Sequence, residues 1–124
     1  MLRVGRTGNL RVASAGHLPA LVCRPDGTAS YVTARPTPPI GLRYVGPRPE
    51  ASASIEPGTW LAVFTDGLVE QRGEPIDDGL ERVRLLATAL AGHDPDTVAD
   101  RLLAALVGEH PRDDVALVVV RFAG

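Results

Sequence analysis

The chain has 124 residues, of which 44% are hydrophobic and 23% charged, with a formal net charge of -2. That balance belongs to a single globular domain and excludes the disordered and membrane-embedded classes. All thirteen basic residues are arginine, so a phosphate-loop lysine, a Schiff-base lysine and a lysine general base are excluded, and no basic stripe points to nucleic acid. The opening residues lack the apolar block of a signal peptide, and no apolar run approaches the length of a membrane span. The chain therefore reads as cytoplasmic. Its single cysteine, Cys23, cannot form an internal disulfide or a cysteine zinc cluster, and its apolar run from Ala20 reads as packing.

In chain order, Leu10 to Ser14, Pro19 to Arg24 and Thr28 to Val32 read as three strands of a meander, joined through Ala15-Gly16-His17-Leu18 and Pro25-Asp26-Gly27. Proline and glycine supply the backbone angles such turns need. From Thr33 to Pro49 five prolines and two glycines predict an ordered surface crossing with at most a short strand at Leu42 to Val45. Ala51 to Ile55 alternates small and polar residues. Thr59 to Thr65 is almost unbroken apolar sequence, the pattern of a central strand covered on both faces, and Asp66-Gly67 ends it.

Leu80, Val83, Leu86, Ala87 and Leu90 recur at helical spacing before Gly92. A second helix is expected to start at Asp94 as N-cap with Pro95 in its first turn, to bury Val98, Leu102, Ala105 and Leu106, and to stop at Gly108. Val115 to Phe122 closes the chain as a strand apolar on both sides. About six strands with a late helical pair make the fold α+β, in one domain over residues 1–124.

Two acidic positions bear on chemistry. Asp66 follows one apolar strand, and Asp113 with Asp114 precedes another. Antiparallel pairing of those strands would make the carboxylates converge at one sheet end, where they repel unless a hard cation such as Mg2+ or Mn2+ neutralises them. Taken singly, Asp66-Gly67 reads first as a turn and Asp113-Asp114 first as a solvated loop, and the pair is informative only in the context of the words around it. Asp26-Gly27 and Asp77-Asp78-Gly79 are assigned to acidic turns. His17 reads as a turn histidine bonded to backbone, His93 and His110 as helix-end and loop residues, and Trp60 as packing.

Four blocks occur in order: Ser14-Ala15-Gly16-His17-Leu18-Pro19; Pro38-Pro39-Ile40-Gly41-Leu42; Glu56 to Glu70, containing Thr65-Asp66-Gly67; and Arg112-Asp113-Asp114-Val115-Ala116-Leu117-Val118-Val119. From about Leu10 to Arg121 the series resembles the C-terminal half of the bacterial PP2C-like (PPM) serine phosphatases that regulate sigma factors and sporulation. The resemblance implies a partial PP2C-like β-sandwich with a helical pair packed on one sheet. It implies two Mn2+ or Mg2+ ions at one end of the complete family site and a metal-bridging water that attacks phosphoserine or phosphothreonine. Asp66 matches the aspartate of the family's Thr-Asp-Gly block and Asp113 the first acid of its final block, so both are candidate catalytic residues and ligands of one metal. Asp114 stands where many relatives carry Asn. The implied partner is a phosphorylated regulatory protein such as an anti-sigma-factor antagonist.

The family's Gly-Asp segment and its ion-bridging aspartate precede the matched region, and this sequence contains no Gly-Asp dipeptide. The chain is therefore expected to be a truncated domain that holds at most one ion weakly. Missing strands would leave apolar surface uncovered and favour self-association or docking on a partner. Three functions remain open: a phosphatase of this family, a non-catalytic interaction module on the same scaffold, and a different metal-dependent phosphoester hydrolase acting on a small molecule.

Overall fold

The structure is a computed structural model that describes residues 2–5, 8–13, 18–32, 50–107 and 115–123. The expected crossing from Thr33 to Pro49, with its strand at Leu42 to Val45, lies outside the described residues apart from its flanks.

Seven strands and two helices occur among the described residues: β1 (Leu2–Val4), β2 (Asn9–Ala13), β3 (Ala20–Cys23), β4 (Ala29–Val32), β5 (Glu50–Ser54), β6 (Trp60–Phe64), α1 (Ile76–Thr88), α2 (Pro95–Leu106) and β7 (Leu117–Arg121). They form a three-stranded sheet, β1-β2-β5, and a four-stranded sheet, β4-β3-β6-β7. All of the pairings are antiparallel.

The α+β class and late helical pair agree with the sequence pattern. The three-strand meander does not. β3 and β4 make a hairpin, in which Asp26 accepts the Thr28 N–H at 2.9 Å and Gly27 takes φ +91. β2 instead joins the other sheet, between β1 and β5. Its neighbours were invisible to a local reading because β5 lies about forty residues along the chain and β1 is a three-residue strand.

Side chains alternate across a strand, so the four-stranded sheet has two different apolar faces. On one, Leu21, Cys23, Trp60 and Ala62 pack with Val83, Ala87, Leu90, Val98 and Leu102 from the helical segment. On the other, Ala20, Val22 and Leu61 meet Leu10, Val12 and Ile55 from the three-stranded side. The order is sheet, sheet, helices. Each fully buried Leu or Val in these layers contributes roughly 1.5–3 kcal/mol of transfer free energy. Two polar groups are fastened inside the helical layer. The Trp60 indole N–H donates to the Leu90 carbonyl at 3.1 Å and the Cys23 thiol to the Ala87 carbonyl at 3.3 Å. Burial, aided by the Asp26 charge, pushes the Cys23 thiol up to about 11. A thiol this basic is almost wholly protonated near neutral pH, as a packing cysteine should be.

The second helix begins as its sequence predicts. Asp94 caps it by accepting the Thr97 N–H at 2.9 Å, and these Thr97 hydrogen bonds hold the Asp94 carboxyl below its usual range. Val98 and Leu102 are buried, whereas Ala105 is exposed and Leu106 only half-buried. Asp77-Asp78-Gly79 is not a free turn, because it lies in the first turn of α1, where acidic side chains complement the helix dipole.

β7 departs furthest from expectation. It is apolar on both sides in sequence, but it is the edge of the four-stranded sheet and only its helical face is covered. Val118 and Val120 pair with Val63 and Leu61, on the face turned toward the other sheet, yet they remain 55% and 46% exposed. That sheet has three strands among the described residues. Beside Val120 an open groove of about 300 Å³ is lined by Val4, Leu61 and Phe122 among others.

Candidate functional site

The end of β6 is built by one residue that serves two elements. Thr65 donates its N–H to the Ala116 carbonyl at 3.1 Å. In a regular antiparallel rung the Ala116 N–H would return to the Thr65 carbonyl. That carbonyl is already bonded to the Leu68 N–H at 3.1 Å, the bond that opens a 3-10 turn at Asp66–Leu68. The Ala116 N–H goes to the Thr65 hydroxyl oxygen instead, at 3.0 Å.

Asp66 is the first residue of that turn. Its carbonyl accepts the Val69 N–H at 3.0 Å and the Glu70 N–H at 2.9 Å, while Leu68 and Val69 are buried and anchor the turn in the helical layer. The Asp66 side chain is exposed. Among the described residues its carboxylate engages no hydrogen bond or ion pair. It stands at the end of the sheet with its oxygens available.

Asp113 and Asp114 lie outside the described residues, as do His17 and His110. The described part of the final segment starts at Val115, half-buried against the helical layer, and Ala116 is bonded to Thr65. The structure therefore brings the start of the β7 segment to the residue before Asp66. His93 lies between the two helices with Nδ1 3.3 Å from the Ala91 carbonyl oxygen, a helix-end role as expected. Trp60 is core.

Chemically, Asp66 offers a hard anionic oxygen, the donor type Mg2+ and Mn2+ select. It fits such an ion in kind. No group of three or more His, Cys, Asp or Glu residues that could hold a metal occurs among the described residues, so other residues must complete any coordination shell.

Two residues of the site escape a sequence reading. Thr65 looks like the last residue of a strand, and Gly79 like part of a turn. Gly79 is buried in the first turn of α1, where a Cβ would lie 2.1 Å from the Val69 carbonyl oxygen and 3.1 Å from the Val69 Cβ. The helix thus presses its backbone against the turn that carries Asp66. The available signal was a glycine inside a helix-period pattern, which usually has a packing reason.

The sequence profile of stage II sporulation protein E (SpoIIE) matches residues 5–123. The chain belongs to the SpoIIE family. Among solved structures, the RsbU and RsbW domains of a Mycobacterium tuberculosis protein superpose with a TM-score of 0.77 at 29% identity, over 94% of this chain and 34% of that one. The phosphatase domain of Bacillus subtilis SpoIIE gives 0.74 at 23% identity, over 100% of this chain and 55% of that one. The PP2C domain of SiaA from Pseudomonas aeruginosa gives 0.66 at 22% identity, over 94% and 48%. The fold is therefore that of the PP2C-type phosphatase domains, and this chain spans between a third and just over half of these solved chains.

The Gly79 contact sets a test of how firmly the Asp66 turn is held. Ala is ordinarily better than Gly in a helix by about 1 kcal/mol, but overpacking costs roughly 1–3 kcal/mol and here the obstacle is a backbone atom. Gly79→Ala is expected to lower stability by about 2 kcal/mol, read as a reduced urea midpoint. A midpoint at or above that of the parent would mean that the turn gives way freely.

Proposed function

We propose that this chain forms part of a metal-dependent protein serine/threonine phosphatase domain in which Asp66 and Asp113 hold one Mn2+ or Mg2+ ion. The observation that supports this reading most strongly is the Thr65–Ala116 connection. It ties the segment entering β7 to the residue before Asp66. Asp113 is three residues ahead of Ala116, so covalent geometry keeps its Cα within roughly 11 Å of the Ala116 Cα.

Asp66 would bind through its exposed carboxylate and Asp113 through its own, each supplying negative charge to offset the cation. When bound, the ion supplies the Lewis acidity that activates water and offsets charge on the phosphoryl oxygens. The chain needs no covalent nucleophile, in keeping with a lone cysteine that is buried and bonded to Ala87. Because the chain spans about half the SpoIIE phosphatase domain that it resembles, the activity is proposed for the complete domain, with further ligands contributed from outside the matched span. The family points to a phosphorylated regulatory protein, such as an anti-sigma-factor antagonist, as substrate. Cytoplasmic residence is part of this reading; no helix among the described residues is long and apolar enough to cross a membrane.

A second reading is a non-catalytic interaction module on the same scaffold, which the uncovered Val118 and Val120 face would serve as a docking surface. Hydrolysis separates the two. With the complete domain, Mn2+-dependent hydrolysis of an aryl phosphate should fall on the order of a hundredfold or more in Asp66→Ala, since even a residue supporting a metal ligand is worth ten- to a hundredfold. Activity untouched by that substitution would contradict the assignment. Partner binding that survives both chelation and Asp113→Ala would favour the module.

The uncovered Val118 and Val120 face also supports self-association of this chain. Sedimentation velocity should show a shift to larger species as concentration rises, weakened in Val118→Lys. A single concentration-independent monomer would refute it.

A further inference from the structure

β7 ends the four-stranded sheet, and the parity of its hydrogen bonds shows what it offers on the free side. At one end the Ala116 carbonyl accepts from the Thr65 N–H and the Ala116 N–H donates to the Thr65 hydroxyl. At the other, the Phe122 N–H donates to the Thr59 carbonyl and the Phe122 carbonyl accepts from the Gly58 N–H, both at 2.8 Å. Ala116 and Phe122 therefore turn their backbone groups toward β6. Successive residues of an antiparallel strand point these groups to opposite sides. Val118 and Val120 thus also face β6, while Leu117, Val119 and Arg121 each direct an N–H and a C=O outward. No strand among the described residues pairs with that edge. Nor is it guarded as exposed edges usually are: the run Leu117-Val118-Val119-Val120-Arg121 has no proline, keeps an unbroken register with β6 and carries its one charge at the end.

We propose that β7 pairs edge to edge with β7 of a second copy of this chain, antiparallel about a two-fold axis at Val119. This rests on the self-association put forward above and gives it a geometry, strand addition in place of stacking between exposed faces. The sequence of the edge selects a second copy as the occupant. With Val119 opposite its own counterpart, Val118 of each copy stands opposite Val120 of the other. The valines that are 55% and 46% exposed in the single chain then form one contiguous apolar row on the inter-sheet face, and cross-strand pairs of β-branched residues stabilise such a ladder. Arg121 falls opposite Leu117, with the two guanidinium groups at opposite ends of the pairing. A parallel arrangement would bring the two Arg121 side chains together, and like charges side by side on neighbouring strands are destabilising. In the antiparallel register the outward N–H and C=O of Leu117, Val119 and Arg121 all find partners, and the two four-stranded sheets become one.

Cysteine cross-linking of the full chain reads this register. Val118 and Val120 of opposite copies would form a non-hydrogen-bonded pair, with Cα atoms about 4.5 Å apart, within the span of a disulfide. Like positions are displaced by two residues and lie roughly 7–8 Å apart, beyond that span. A mixture of Val118→Cys and Val120→Cys chains should therefore cross-link under mild oxidation, and either chain alone should not, the buried Cys23 adding little background. A second measurement tests the edge itself. Arg121 is exposed and its N–H points outward, so Arg121→Pro removes one edge donor per copy and leaves the β6 ladder intact. Sedimentation velocity should show the dimer dissociation constant raised about thirtyfold, for two hydrogen bonds lost per dimer. The cross-linking pattern is read without that variant and stands if it fails to fold. Cross-linking of Val118→Cys with itself would mean stacked faces and overturn the edge pairing, as would dimers in which the mixture does not cross-link, or an unchanged dissociation constant in folded Arg121→Pro. In each of those cases self-association survives. A parent chain that stays monomeric at every concentration removes both.

Discussion

Everything at the candidate site depends on the last rung between two antiparallel strands. β6 is paired on both sides, with β3 and with β7, and carries Trp60, Leu61 and Ala62 wholly inside the protein. An element so enclosed cannot shift without disturbing both apolar layers. Its C-terminal end is therefore a rigid platform, and Thr65 joins that platform to the incoming strand. The Asp66 turn is held from below by buried Leu68 and Val69 and from the side by the backbone of α1 at Gly79. The backbone that carries the Asp66 carboxylate is thereby held by packing elsewhere in the fold.

The same architecture leaves one region unfinished. β7 gives Leu117 and Val119 to the helical layer, while Val118 and Val120, on the side of the other sheet, stay 55% and 46% exposed. The Bacillus subtilis phosphatase domain is matched over only 55% of its chain, so a large part of that domain has no counterpart here. The exposed valines and the groove beside Val120 lie on the inter-sheet side, where additional sheet would be expected to pack.

Much of this was legible in residues alone. The unbroken apolar run at Thr59 to Thr65 marked the central strand because few alternatives accommodate apolar side chains on both faces, and Asp94-Pro95 marked a helix start by chemistry that needs no tertiary context. Asp66 at the end of β6 was legible for the same reason. The edge position of β7 was not, since an apolar strand reads alike whether both its faces or only one is covered. Nor was the separation of β2 from β3, which depends on a partner strand distant in sequence. Gly79 was hidden because its role is a close approach to Val69, ten residues away, and Thr65 because its role emerges only when a turn occupies its carbonyl. Asp113 rests on sequence alone, as it lies outside the described residues.

The central proposal is spatial: that Asp66 and Asp113 share one end of the molecule, with Ala116 at the start of the β7 segment bonded to Thr65. Nitroxide labels placed at Asp66→Cys and Asp113→Cys report on it directly, with the buried Cys23 contributing little background labelling. Continuous-wave EPR of the doubly labelled chain should show strong dipolar broadening relative to the sum of the singly labelled spectra. A doubly labelled spectrum identical to that sum would place the two positions apart and contradict the account.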